Sequence, residues 1–142
     1  MRRYRRILAL VEARPGSVAV VQRAVQLAQF YGASLALAVV IDYRPGFECD
    51  HVPFMTPRQM TAGIARSVRA RLDELLAAAG CSAAEVILAS GPSEVAVADI
   101  TASWRPDLVL VSPHAPHGLD KHSNRGGGSR PAYDVLFART AP

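Results

Sequence analysis

The sequence predicts an α/β fold with a parallel sheet, and three observations predict it. Short continuous runs of Ile, Leu, Val and Ala recur along the chain, as strands covered on both faces require. Between them lie segments with apolar residues at helical spacing, closed by glycine. Strands alternating with helices of this size favour right-handed crossovers and helices on both faces of the sheet. The chain has 142 residues, half of them hydrophobic, enough for one core and too few for two ordinary domains. Residues 1–142 are therefore read as one domain, with a basic N-terminal arm at 1–6 and a compositionally distinct segment at 113–142.

Ile7–Val11 is the first strand, stopped by Glu12. Gly16-Ser17 leads into a helix in which Val18, Val21, Val25 and Ala28 share a face, with Ser17 as N-cap and Gly32 as stop. Ala33–Ile41 is the second strand. A Pro-, Gly- and acid-rich stretch from Asp42 to about Pro57 then makes a long excursion of the kind that covers a ligand or partner. From Arg58 a second helix carries the stripe Ile64, Val68, Leu72, Leu75, Leu76 and Ala79, with Arg66, Arg69, Arg71, Asp73 and Glu74 on its wet side, up to Gly80. Glu85–Ala89 is the third strand, Gly91-Pro92 a turn, Ser93–Ser103 a third helix whose Val, Ala and Ile residues face the sheet, and Leu108–Val111 the fourth strand. After Ser112 the composition shifts to Pro113, Pro116, Gly118 and Gly126-Gly127-Gly128, and a short helix is expected around Ala132–Ala138. Four strands are evident; the fifth is expected to be missing or altered, which would leave an unpaired edge open to association.

The net charge is +4, yet Arg2, Arg3, Arg5 and Arg6 carry four of the sixteen positive charges, which leaves twelve against twelve from Ile7 onward. A neutral body argues against a broad nucleic-acid surface, and no specific nucleic-acid partner is expected. Cys49 and Cys81 are the two cysteines, neither a disulfide framework nor a repeated ligand pair, so reduced thiols and a cytoplasmic location are expected. Glu12, Arg14 and Pro15 interrupt the apolar run that follows the basic start, and no stretch of 18 apolar residues occurs. Neither a signal peptide nor membrane insertion is indicated.

Few residues group into recognisable chemistry. Gly126–Ser129, flanked by Arg125 and Arg130, offers backbone donors and cations to an anion or forms a linker, and no G-x4-G-K-[S/T] loop is present. His114, His117, His122 and Asp120 are metal-ligand types, but Pro116 opposes the helix that would align them, so no metal is expected. Cys49-Asp50-His51 lies in an extended loop where neighbours need not converge, and Asp73-Glu74 sits on a helix surface. G-x-S-x-G and H-E-x-x-H are absent, and no catalytic residue is assigned. Tyr4, Tyr31, Tyr43, Tyr133 and Trp104 are dispersed along the sequence, Trp104 reading as a helix-end packing residue rather than a base-stacking platform.

The alternation through Ile7–Glu12, Ala33–Ile41, Gly91-Pro92-Ser93-Glu94 and Pro106–Val111 resembles the universal stress protein (UspA-like) superfamily over roughly residues 5–120, with a weaker continuation to Pro142. The resemblance implies a five-stranded, Rossmann-like three-layer sandwich of the adenine nucleotide alpha hydrolase type, often dimeric, with either an ATP-binding or a non-ATP-binding regulatory role. In ATP-binding members an Asp closes the first strand, a small apolar residue near the end of the second contacts adenine, and G-x2-G-x9-G-[S/T] surrounds the phosphates. The matching positions here are Glu12, Val40, Ser112, Ala115 and Gly128-Ser129, with twelve residues rather than nine before Gly128. A Cβ at Ser112 or Ala115 narrows the close backbone approach that glycine gives phosphate, and Pro113 has no N–H to donate. The family's final strand would begin where the sequence stops at Pro142. The expectation is a non-enzymatic regulatory or protein-interaction domain, a homodimer or bound to another protein, that is not a strong ATP binder and has no resident cofactor. The alternative is an adenine-nucleotide-binding stress regulator that holds Mg-ATP at those six positions.

Overall fold

In the computed structural model, residues 3–11, 17–41, 57–81, 84–112 and 133–138 are described. The elements run β1 (Arg6–Leu10), α1 (Ser17–Tyr31), β2 (Ser34–Ile41), α2 (Pro57–Ala78), β3 (Glu85–Ser90), α3 (Ser93–Trp104), β4 (Leu108–Val111) and β5 (Asp134–Phe137). Each of the four expected strands and three expected helices lies within a residue or so of its sequence reading. Ser17 is the first residue of α1, one place inside the position expected of a cap.

Helix ends follow local backbone chemistry. Gly32 (φ 63°) and Gly80 (φ 74°) take the left-handed conformation that stops α1 and α2. α3 stops the same way without a glycine. Arg105 adopts φ 54° and its N–H reaches the Thr101 carbonyl at 3.1 Å, with Pro106 barring continuation.

The five strands form one sheet in the order β3-β2-β1-β4-β5, every neighbouring pair parallel. Strand alternation splits the core in two. Ile7, Ala9, Leu35, Leu37, Leu108 and Leu110 point to the side where α1 and α2 pack through Val21, Val25, Val68, Leu72 and Leu76. Leu8, Leu10, Ala36, Ala38, Val109 and Val111 point to the other side, where α3 contributes Val97 and Ile100. Apart from the exposed Arg6 at the start of β1, the central strands β1 and β4 are buried throughout, and Ile7, Leu8, Ala9, Val109 and Leu110 are fully buried. The α2 stripe faces inward as its spacing requires, and Arg66, Arg69, Arg71, Asp73 and Glu74 are exposed.

The end of the chain corrects the sequence reading. Asp134–Phe137 is a strand and not part of a helix: it pairs in parallel with β4 through Leu108↔Asp134, Val109↔Val135, Leu110↔Leu136 and Val111↔Phe137. The fifth strand is thus present, formed eight residues earlier than the family comparison would start it. A four-residue apolar run is ambiguous between helix and strand by periodicity alone, and the open edge of β4 decides it by supplying hydrogen-bonding partners. Ala138 closes the pairing, its N–H donating to the Val111 carbonyl at 2.8 Å.

Candidate functional site

Strand order reverses between β1 and β4. β1, β2 and β3 build outward in one direction, then α3 returns the chain to the far side of β1. In open parallel sheets such a switch point leaves a crevice outside the C-terminal ends of the strands, where the crossover helices diverge. Val11 follows the end of β1 there, its N–H bonded to the Ala38 carbonyl at 2.9 Å. Val40, one residue from the end of β2, is half-buried and packs on the α3 side with Ala89 as its β3 partner. Ser112 follows β4 and is also half-buried. The two flank the end of β1, about 10 Å apart by the spacing of adjacent strands. Gly91 (φ 119°) turns the chain from β3 toward α3 beside them, its N–H held by the Ile41 carbonyl at 3.1 Å.

Val40 and Ser112 are therefore brought to one end of the sheet on either side of the switch point. Glu12, Ala115, Gly128 and Ser129 lie outside the described residues, as do Cys49 and the four histidines. Among the described residues no group of three His, Cys, Asp or Glu side chains could hold a metal ion. Also among them, no helix is long and apolar enough to cross a membrane. Cys81 is a free, half-buried thiol.

The opposite end of the sheet gathers side chains that are distant in sequence. The Asp107 carboxylate accepts the backbone N–H of Arg5 (2.8 Å) and of Arg6 (3.0 Å), which clamps the start of β1 to the approach of β4. Tyr4 donates its hydroxyl to Asp134 at 2.8 Å and packs edge-on against Tyr31 at 5.2 Å, tying β5 to the N-terminus. Arg3 donates through Nε to the Tyr31 carbonyl at 3.2 Å, a cation at the negative end of α1. Arg6 donates through Nε to the Trp104 carbonyl at 2.9 Å and lies over the indole, 4.0 Å from its centroid. Trp104 in turn donates its indole N–H to Glu85 at 2.9 Å. Trp104 does pack at a helix end, as its position suggested; its two charged partners were not legible in the sequence. Beside it, on the α3 side of β5, burial raises the Tyr133 phenol above its ordinary value near 10, against a smaller lowering by its hydrogen bond with Thr101.

A doubly wound parallel sheet with a crevice at the β1/β4 switch point defines the broad class, that of α/β domains built like nucleotide-binding folds. Comparison with known proteins narrows it. The profile of the universal stress protein family matches residues 3–124. Universal stress protein A homolog 1 of Coxiella burnetii is 30% identical over 121 residues, covering 83% of this chain and 82% of that protein. A universal stress family protein of Burkholderia pseudomallei superposes with a TM-score of 0.72 at 17% identity over 99% of both chains. A universal stress protein crystallised in complex with cAMP superposes at 0.65 with 18% identity, over 99% of this chain and all of the other. This chain belongs to the universal stress protein family.

Proposed function

We propose that this chain is a non-enzymatic regulatory or protein-interaction domain that works in the cytoplasm as a homodimer joined along β5. The observation that carries the reading is the outer edge of the sheet. Val135, Leu136 and Phe137 are respectively 36%, 37% and 52% exposed, and among the described residues no strand pairs with β5 beyond β4. An apolar strand with an unpaired edge is a template for pairing with another chain, and a second copy offers the same edge in a self-complementary, two-fold arrangement. Light scattering across a concentration series tests it. The unaltered chain is expected to run at twice its monomer mass, and Leu136→Lys, which sets a charge into the joined edge, to run as a folded monomer. A strictly monomeric unaltered chain at working concentration sinks the proposal.

A second reading has its own support. Val40 presents an apolar, half-buried surface at the switch-point end of β2, a place suited to a base, and one fold neighbour is a complex with cAMP. On this reading the chain takes an adenine nucleotide such as Mg-ATP between Val40 and Ser112. Titration with Mg-ATP would then saturate, and Val40→Asp would weaken binding while the unliganded fold stays intact. Absence of saturable binding by the folded chain removes this reading and leaves the first standing.

A further inference from the structure

A cavity of about 650 Å³ opens at the N-terminal end of the sheet, opposite the crevice, within the roughly 300–1,000 Å³ range of small-molecule sites. Its origin is a step in strand register. β1 and β2 pair from Arg6↔Ser34, whereas β3 joins β2 only from Ala36↔Glu85, so the corner below β3 begins two residues higher. The cavity wraps the start of β2 and so has two unlike walls. On the α3 side stand Arg6, Ser34, Glu85 and Trp104; on the helix α1 side stand Val25, Ala28 and Leu35, all buried, with Cys81 and Ala84 at the rim.

The polar wall holds one cation and one anion, each engaged with Trp104 rather than with the other. Arg6 uses Nε for the Trp104 carbonyl and one face for the indole, which leaves the Nη edge of its guanidinium fork as a donor pair. Glu85 takes the indole N–H on one oxygen and keeps its second. Among the described residues the two make no ion pair. A ligand of a single charge would meet repulsion from one of them. A zwitterion meets neither penalty, since its carboxylate fits the Arg6 fork and its ammonium the free Glu85 oxygen. The remaining wall is apolar through Val25, Ala28 and Leu35, with Gln29 as its one polar side chain among the described residues.

We propose that this cavity binds a free α-amino acid with a compact apolar side chain: carboxylate on Arg6, ammonium on Glu85, side chain against Val25, Ala28 and Leu35. The site is separate from both the β5 edge and the switch-point crevice, and it stands or falls independently of either.

Trp104 is the single tryptophan of the chain, so its emission reports on this wall alone. Titration with L-leucine, followed by that emission and by calorimetry, is expected to saturate. Two analogues divide the charges: 4-methylpentanoate lacks the ammonium and 3-methylbutylamine lacks the carboxylate. Each is expected to bind at least about tenfold more weakly, the loss of one charge-assisted hydrogen-bond set. Arg6→Gln and Glu85→Gln are each expected to weaken L-leucine by about the same factor. Should either variant unfold, the analogue series on the unaltered chain decides the matter by itself. No saturable response up to the solubility of leucine overturns the proposal, as does 4-methylpentanoate binding as tightly as leucine, or an affinity indifferent to both substitutions in folded protein.

Discussion

The two edges of this sheet are finished in opposite ways. At the β3 edge, Val86 and Leu88 pack into the core on the α2 side while Ile87 and Ala89 pack on the α3 side, so helices cover both faces and the polar Glu85 and Ser90 bracket the strand. At the β5 edge, the three residues after Asp134 are apolar and substantially exposed, and burial returns only at Ala138. Strand hydrophobicity is similar at the two edges; what differs is the cover. A covered edge spends its apolar residues on the stability of the chain itself, whereas an uncovered one holds them available for another surface.

That contrast can be broken in three ways. The largest expected effect is on the strand that carries β5. Leu110 is fully buried in β4, and Leu110→Ala should lower the unfolding free energy by about 2–5 kcal/mol, read from urea denaturation, through lost burial and the cavity left behind. A loss near zero would mean that β4 is not the packed centre described here.

A matched pair of edge substitutions is expected to separate stability from assembly. Ile87→Ala on the covered edge should cost about 1–2 kcal/mol, less than a fully buried site because Ile87 is half-buried, and leave assembly unchanged. Phe137→Ser on the open edge should alter the unfolding of the monomer by no more than about 0.5 kcal/mol and yet weaken self-association. If Phe137→Ser destabilised the monomer as much as Ile87→Ala, the two edges would be alike and the contrast would fail.

The smallest effect is one of pH, beside β5. The Tyr133 phenol titrates above its ordinary value in the folded chain because burial disfavours the phenolate. Its neutral form therefore contributes stability that is fully present below about pH 10, the unfolded phenol's value, and is lost as pH rises through the higher folded value. Stability measured against pH should fall more steeply over that alkaline window in the unaltered chain than in Tyr133→Phe. Identical slopes would place Tyr133 in water.

How much of this was legible in the sequence follows from the range of the forces involved. Continuous apolar runs and the helical stripe of α2 announced β1 to β4 and α1 to α3 because both periodicities are local. β5 was misread because Asp-Val-Leu-Phe is too short to show a period; its conformation is set by the free edge of β4, a partner more than twenty residues away in sequence. Of the crevice, Val40 and Ser112 were placed at strand ends by motif comparison, and the structure puts both at the switch point. The polar cluster at the other end was out of reach. Arg6, Glu85 and Trp104 come from three separate elements, and the dispersal that argued against a shared aromatic and basic surface is undone by the fold, which brings the starts of β1 and β3 to one end of the sheet with β2 between them and sets Trp104, at the end of α3, in contact with both.

Native mass spectrometry of the chain, prepared without added nucleotide, tests the central claim most directly, because one spectrum reports both assembly and any retained ligand. A regulatory domain joined along β5 predicts a dimer of the 15.2 kDa chain with no nucleotide-sized adduct, and a monomer for Leu136→Lys. A monomer from the unaltered chain, or a dimer that persists in Leu136→Lys, would contradict it.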